Sequence, residues 1–344
     1  MLTRKTPHWA VLSKEPEGPF GGRITVRYLG NDVEVHRGQR LARKWRKGSA
    51  TAAFLSASLV ASLGFVDPVG AAAPIRTSGL ISFVREGPGS GIYTMTPTGS
   101  DLTRLTDGHD YRPRWSPGGT KIVFQRFDRG TRSHIYVMDA DGGNLEQVST
   151  RPGFQPTWSP DGTRIVFGSG RGTREEIFVM NADGSNLTRL TNNRVEDVLP
   201  AWSPDGATIA FASERRRNWD VYLMNPDGTN QRQLTRNPAP DQNPAWSPDG
   251  SRVVFASRRH RNWDVYSIVL DGSGLARLST GATLDWAPAW SPDGTQIAFT
   301  VANYAEGRED VAVFDLESSI TVRYVTPETF DLEPDWQPLP ASSR

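Results

Sequence analysis

The hydrophobic and polar positions of the chain fall into short runs that return about every 44 residues. In residues 207–213 (ATIAFAS), Ile209 and Phe211 occupy one face of a predicted strand and alanines occupy the other face. Apolar residues on both faces indicate a sheet that is covered on both sides. The preceding residues 200–206 (PAWSPDG) predict a short strand and a tight turn in which Gly206 takes the left-handed conformation.

The remainder of this repeat predicts two further strands. A polar hairpin at residues 214–219 (ERRRNW) leads into a strand at 220–225 (DVYLMN). A second Asp-Gly turn at 226–230 (PDGTN) then leads into a last strand at 231–235 (QRQLT). Four short antiparallel strands in each repeat are typical of a propeller blade.

One tryptophan marks each copy of the repeat, at spacings of 43, 44, 44, 44 and 46 residues. These residues are Trp115, Trp158, Trp202, Trp246, Trp290 and Trp336. A solenoid of this period would need atypical capping repeats. Instead, residues 80–106 lack the first strand of a blade, and residues 334–338 (PDWQP) supply it. The sequence therefore predicts an all-β, six-bladed β-propeller of four-stranded antiparallel blades, closed by pairing of its N- and C-terminal strands.

The repeat PxWSPDGxxIAFxS…DVYxMNxDGxNxxxLT resembles that of the TolB-type, WD-like propellers. The resemblance covers about residues 79–340 and rests on five nearly complete copies. It implies a six-bladed propeller that is usually exported and that serves binding as often as chemistry. The TolB translocation protein has an α/β domain ahead of its propeller, where this sequence has a basic leader, so a role in a Tol–Pal-type system is not implied.

Residues 1–73 are interpreted as a basic leader with an export signal, and residues 74–344 as the propeller. A basic stretch at 37–49 precedes an apolar run of 15 residues at 51–65, and Ala71–Ala73 offer small side chains for cleavage. The run is shorter than the roughly 20 residues that a spanning helix needs. A membrane anchor remains the alternative if the leader is not cleaved. The chain has no cysteine and therefore no disulfide.

The charge is distributed unevenly along the chain. Residues 1–73 contain 11 Lys and Arg against 5 Asp and Glu, whereas residues 74–344 contain 28 against 33. The propeller region is therefore mildly acidic, which argues against a nucleic-acid partner. We expect a periplasmic or extracellular protein, monomeric, whose partner is a protein, a peptide or a glycan of the cell envelope.

Five residues before each tryptophan the chain carries an aspartate in five of six copies. These are Asp110, Asp197, Asp241, Asp285 and Asp331, with Gly153 in the sixth position. They lead into the innermost strands, so we expect a ring of carboxylates at one channel mouth. Their like charges repel unless neighbouring hairpin arginines or a ligand offset them. One interpretation is that each aspartate caps its own loop by accepting hydrogen bonds from backbone amides. The other is a ligand site, with Ca²⁺ at Asp197, Asp241 and Asp285 or a basic partner segment in its place.

Arginine and tryptophan side chains surround this ring and extend the candidate ligand site. Arg216 and Arg259 lie in hairpins between the second and third strands, and Trp219, Trp263 and Trp286 lie beside them. Solvated arginines and tryptophans that pack between hairpins are the simpler interpretation. Exposed aromatic and arginine side chains are also what a peptide or glycan surface uses.

The sequence gives little indication of catalysis. It contains no Gly-x-Ser-x-Gly motif, and His109, His134 and His260 occupy non-equivalent positions in three blades. We therefore favour a non-catalytic binding or scaffold propeller, with no certain cofactor. A polysaccharide- or peptide-processing enzyme with its site at the channel mouth is the alternative.

The leader interpretation makes a prediction about the mature protein. We expect its first residue to lie between Ala72 and Ile75, because signal cleavage follows small residues. N-terminal sequencing of the protein from its native host measures this directly. A mature protein that still carries residues 37–50 would favour an anchor instead.

Overall fold

The computed structural model describes residues 79–127, 132–170, 175–325 and 329–339, together with three strands nearer the N-terminus. Within these residues the secondary structure consists of 27 β-strands, and no helix is long and apolar enough to cross a membrane. The chain divides into two compact units, residues 1–72 and residues 73–344.

The first unit contains a small antiparallel sheet that the sequence analysis does not predict. It consists of β1 (Ala10–Lys14), β2 (Ile24–Tyr28) and β3 (Asn31–Val35), in that order. Ala10 pairs with Tyr28, and Ile24 pairs with Val35. The predicted export signal, at residues 37–73, lies outside the described residues.

The second unit consists of six four-stranded antiparallel sheets, which we call blades 1 to 6 in chain order of their second strands. The first, innermost strands of blades 1 to 6 are β27 (Phe330–Trp336), β7 (Asp110–Trp115), β11 (Phe154–Trp158), β15 (Asp197–Trp202), β19 (Asp241–Trp246) and β23 (Leu284–Trp290). The second strands are β4 (Ile81–Glu86), β8 (Lys121–Phe127), β12 (Arg164–Gly170), β16 (Ile209–Ser213), β20 (Arg252–Ser257) and β24 (Gln296–Asn303).

The outer half of each blade follows the same order. The third strands are β5 (Gly91–Met95), β9 (Ser133–Asp139), β13 (Glu175–Asn181), β17 (Asp220–Met224), β21 (Asp264–Val269) and β25 (Arg308–Asp315). The outer strands are β6 (Thr103–Arg104), β10 (Glu146–Gln147), β14 (Thr188–Arg189), β18 (Arg232–Gln233), β22 (Ala276–Arg277) and β26 (Thr321–Tyr324). The predicted all-β fold of six four-stranded blades is confirmed.

Blade 1 is assembled from the two ends of the propeller. Strand β27 pairs antiparallel with β4, so that Trp336 lies opposite Ile81. Beyond the strand, the Gln337 amide donates to the Leu80 carbonyl at 2.7 Å. The predicted closure of the ring is therefore confirmed, because β27 covers the edge of β4 that would otherwise be unpaired.

The core lies between neighbouring blades. Trp202 of blade 4 packs in one cluster with Val166 and Ile177 of blade 3. The indole nitrogen of Trp246 donates to the carbonyl of Ala201 in the preceding blade at 3.0 Å. The second strands contribute one phenylalanine each, at most 2% exposed: Phe83, Phe124, Phe167, Phe211, Phe255 and Phe299. Each blade thus buries both faces, which explains the apolar residues on both sides of its strands.

Each inner strand contains a bulge, which the sequence analysis did not predict. In blade 4, Val198 pairs with Ala212 and Ala201 with Ala210, so two residues oppose one. The first bulged residue, Leu199, has a φ of 56°. The equivalent residues of all six blades have φ values between 51° and 58°. A residue other than glycine in the left-handed conformation costs on the order of 1 kcal/mol. The surrounding ring must therefore hold each bulge in place.

Removal of the chain from Phe330 onward is expected to destabilise the propeller strongly. The deletion takes away β27 with Trp336 and leaves unpaired edges on blade 1. We expect a fall in melting temperature of about 10 °C or more, or aggregation. Circular dichroism during heating measures it, with a deletion of residues 340–344 as the control. Equal melting temperatures for the two deletions would show that β27 does not hold the ring together.

Candidate functional site

The propeller has two different ends. The hairpins between second and third strands and the loops between blades lie at one end, called the loop end below. The turns between first and second strands and between third and fourth strands lie at the other, called the turn end. The predicted aspartates begin the inner strands at the loop end, as the sequence analysis expects.

Four of the five aspartates form buried ion pairs with an arginine of their own blade. All five are at most 3% exposed. The shortest distances between carboxylate oxygen and guanidinium nitrogen are 2.7 Å for Asp331–Arg85, 2.6 Å for Asp110–Arg126, 2.9 Å for Asp197–Arg215 and 2.7 Å for Asp241–Arg259. The hydrogen bonds come from arginine side chains rather than from backbone amides, so in these four blades neighbouring arginines offset the carboxylates, which is one of the two outcomes that the sequence leaves open.

Each of these arginines also lies over a pair of aromatic rings. In blade 2 the guanidinium of Arg126 is 5.5 Å from the ring centre of Phe124 and 5.4 Å from that of Tyr136. The same arrangement occurs at Arg85, Arg215 and Arg259. The aspartate supplies the counter-charge, and its hydrogen bond raises the pKa of Arg126 above the usual value. These three parts join the inner strand to the middle of the blade.

The equivalent positions of blades 6 and 3, Asp285 and Gly153, differ from the other four. Asp285 accepts a hydrogen bond from Thr283 Oγ at 2.9 Å, and burial raises its pKa to about 6. In blade 3 the position is Gly153, where a Cβ would come within 2.9 Å of Ile135 and within 2.8 Å of Phe167. The ring of charges is therefore interrupted at blade 3 because no side chain fits there.

The other predicted ligand residues are spread over several environments. Trp219 is only 3% exposed, whereas Trp263 and Trp286 are half-buried. The guanidinium of Arg112 lies 5.8 Å from the ring centre of Trp286. Arg216 is exposed, while Arg259 is committed to Asp241. In the described part of the chain no three His, Cys, Asp or Glu side chains lie close enough to hold a metal ion. Ligand binding by these residues, with or without Ca²⁺, stays a prediction.

A cavity of about 740 Å³ occupies the central channel on the side of the turn end. Its deep part is lined by bulged residues of the inner strands, among them Arg112, Leu199 and Asn243. It reaches the surface among the SPDG turns, where Pro248 and Asp249 are exposed. None of the residues that the sequence analysis assigned to the site lines this cavity.

The channel wall is charged where blades 1 and 2 meet. Arg112 Nε lies 2.7 Å from Glu333 Oε1, and the backbone amide of Arg112 donates to Glu333 Oε2 at 2.8 Å. Two residues further along the strand, the Asp335 carboxylate accepts a hydrogen bond from the Trp115 amide at 2.8 Å. Burial raises the pKa of Asp335 to about 6, although the nearby charge of Arg114 opposes this rise.

The wall of blades 4 to 6 is mostly small and apolar. The positions equivalent to Arg114 and Asp335 are Ala201, Ala245 and Ala289. Asn243, in blade 5, stands directly across the ring from the arginines of blade 2. Asn243 is only 7% exposed, and its side-chain nitrogen has no hydrogen-bond partner among the described residues. A buried donor without a partner costs about 1–3 kcal/mol, which a ligand that accepts its hydrogen bond would recover.

The repeats contain the signal that would have revealed this cavity. Aligned on their tryptophans, the inner strands differ at the bulge, where the residues are Arg112, Gln155, Leu199, Asn243, Ala287 and Glu333. These differences were overlooked because the turn end is otherwise repetitive. In the SPDG turns the repetition is structural, since Asp205 accepts from Ser203 Oγ at 2.5 Å and from the Ala207 amide at 2.9 Å.

Comparison with known sequences identifies one family. The family described as the TolB beta propeller domain matches residues 152–218 and 198–340. No curated protein matches the chain.

Several solved structures share the propeller fold. TolB from Acinetobacter baumannii is 22% identical with a TM-score of 0.69, over 76% of this chain and 67% of that chain. A putative TolB from Agrobacterium tumefaciens is 20% identical with a TM-score of 0.60, over 76% and 100% of the two chains. A chain of a nidogen/laminin complex is 13% identical with a TM-score of 0.62, over 75% and 98%. At these identities the likeness shows the fold alone.

Replacing an aspartate by asparagine should have opposite effects on stability at Asp110 and at Asp285. Asp110→Asn leaves the half-buried Arg126 without its counter-charge, so we expect a loss of about 2–4 kcal/mol in the free energy of unfolding at pH 8. Asp285→Asn removes a carboxylate whose raised pKa makes its charged form unfavourable in the folded state. It should therefore stabilise the protein at pH 8, by about 1–3 kcal/mol.

The pH dependence supplies the control. The raised pKa of Asp285 costs stability progressively as the pH rises from about 4 to about 6, so the gain from Asp285→Asn should vanish near pH 4. Urea unfolding at both pH values measures the two variants. Destabilisation by both substitutions at pH 8 would show that Asp285 is bound by a counter-charge like the others.

Proposed function

We propose that the chain, which belongs to the TolB beta propeller domain family, is an exported, non-catalytic binding module that holds a segment of another polypeptide in its central channel. The observation that carries the proposal is the channel cavity, in whose wall the buried Asn243 side-chain nitrogen has no hydrogen-bond partner among the described residues. Export rests on the basic stretch and the apolar run of the sequence at residues 37–65.

A polypeptide segment fits the chemistry of this wall. Its backbone carbonyls can accept the hydrogen bond that Asn243 offers. Its apolar side chains can pack on alanines such as Ala201 and Ala245, and polar ones can meet the charged groups around Arg114. The apolar residues and the free donor lie on blades 4 and 5 and the charged groups lie across the channel, which favours one orientation of the bound segment.

Binding is favoured over hydrolysis by the hydroxyls near the channel opening. Ser247 and Ser291 line the cavity, but both donate to turn aspartates, at 2.6 Å to Asp249 and at 2.6 Å to Asp293. The described lining contains no histidine that could activate them as nucleophiles. These serines hold their turns, as Ser159 and Ser203 do in blades 3 and 4.

Selection of binders from a random peptide library tests the proposal. Peptides selected on the wild-type protein should bind Asn243→Leu about fivefold more weakly, because one hydrogen bond is lost. They should bind Ala245→Trp at least about tenfold more weakly, because the larger side chain fills the channel. Fluorescence titration with the selected peptides measures both changes.

Ser273→Trp is the matched control, since it adds the same bulk to an exposed turn of the same blade, at the same end. It should leave peptide binding unchanged, and the melting temperatures of all variants establish that they are folded. Peptides that bind the channel variants and the wild type equally well would show that the channel is not the site.

A further inference from the structure

Two neighbouring blades carry nearly the same arginine-rich hairpin at the loop end. Residues 213–220 of blade 4 read SERRRNWD, and residues 257–264 of blade 5 read SRRHRNWD. Arg217 and Arg261 occupy equivalent left-handed positions, with φ values of 59° and 65°. Glycine or asparagine would adopt this conformation at lower cost. The turn itself therefore does not account for an arginine at both places.

Both hairpins are held firmly by the backbone around them. The amide of Arg217 donates to the Glu214 carbonyl at 3.1 Å, and that of Arg261 to the Arg258 carbonyl at the same distance. The carbonyl of Trp219 accepts from the amide of Asp241, which begins the next blade, at 2.8 Å. An arginine displayed by such a hairpin loses little further backbone freedom when it binds a ligand.

The loop between the two blades joins the hairpins into one surface. Asn218 Nδ2 donates to the Asn237 carbonyl at 2.7 Å, and the amide of Arg258 donates to the Pro240 carbonyl at 3.1 Å. Arg236 lies in this same loop and is exposed. We call the exposed arginines of the two hairpins and this loop the hairpin arginine surface: Arg216, Arg217, Arg236, Arg258 and Arg261.

The carboxylates near this surface do not neutralise it. Asp241 and Asp264 are buried and paired with Arg259 and Arg277, at 2.7 Å and 2.9 Å. Asp220 is buried as well, which raises its pKa to about 6. Glu196 and Glu214 are half-buried at the margin. Five exposed guanidinium groups thus face at most two carboxylates in this part of the loop end.

We infer that the hairpin arginine surface binds a linear anionic polysaccharide, with its carboxylate or sulfate groups on the arginines. The planar guanidinium group forms paired hydrogen bonds with such oxyanions. Because the same hairpin recurs one blade further on, like groups meet a ligand at two equivalent places. A polymer whose anionic group repeats along its length matches this recurrence, and the half-buried Trp263 beside Arg261 offers a ring face to a sugar.

Two other polyanions match the surface less well. Single-stranded nucleic acid binds through aromatic side chains on which successive bases stack, and of the two hairpin tryptophans Trp219 is only 3% exposed, which leaves Trp263 for stacking. An acidic protein would present its carboxylates on a folded surface without the regular recurrence that the two hairpins share. This inference is independent of the proposed channel function, since the two surfaces lie at opposite ends of the blades.

Titration calorimetry with oligogalacturonates of different lengths tests the inference. A long oligomer should bind the wild-type protein at least about tenfold more tightly than a disaccharide, because it reaches both hairpins. Arg216→Gln with Arg217→Gln, and separately Arg258→Gln with Arg261→Gln, should each weaken binding of the long oligomer about tenfold and abolish most of the dependence on length. Binding should also weaken as salt is added.

The controls distinguish the sources of the anionic group and the class of ligand. Lys121→Gln with Arg232→Gln removes the same charge from exposed positions at the turn end and should leave binding unchanged. Dextran sulfate tests sulfate in place of carboxylate, and neutral dextran should not bind. The inference is overturned if neither arginine pair affects binding, if neutral dextran binds equally, or if poly-glutamate or duplex DNA binds more tightly than both anionic polysaccharides.

Discussion

Each blade of this propeller needs a neighbour on both faces, and this single constraint governs the rest of the structure. The strands carry apolar side chains on both sides, and the fully buried Phe211 and its five counterparts lie where two sheets meet. A blade at an open end would expose one of these faces to water. Pairing of β27 with β4 removes that open end, so residues separated by about 250 positions in the chain form a single sheet.

The closed ring also explains how six bulged residues persist in the left-handed region. The backbone amide of Leu199, at the bulge of blade 4, donates to the side chain of Gln155 at the bulge of blade 3, at 2.9 Å. Glu333 of blade 1 receives the Arg112 amide of blade 2 in the same way. The cost of one bulge is thus offset partly by hydrogen bonds to the neighbouring blade, and closure makes a neighbour present for every blade.

The number of blades, the four strands in each and the closure followed from the sequence, because turn residues and apolar periodicity repeat at fixed spacing. The bulges did not, since Arg112, Leu199 and Ala287 share no property that would mark a left-handed residue. Pairing of the aspartates with hairpin arginines was one of two outcomes that the sequence predicted, but it did not indicate which arginine pairs with which aspartate. In blade 4, Asp197 pairs with Ser213 across the strands, and its partner Arg215 comes two residues later. In blade 5, Asp241 pairs with Ser257, and Arg259 again comes two residues later. That offset depends on the hairpin shape, which periodicity does not encode.

The repeats have opposite consequences at the two ends of the molecule. At the channel, a nearly sixfold scaffold carries six different bulged side chains, so charge gathers at Arg112 and Glu333 while a free donor remains at Asn243. A ligand there meets a different group on each side. At the hairpins of blades 4 and 5, the repeat is retained instead, and like arginines recur. Divergence within a ring suits a single oriented ligand, whereas recurrence suits a ligand that is itself repetitive. The same fold can therefore serve two kinds of recognition without any change in its blades.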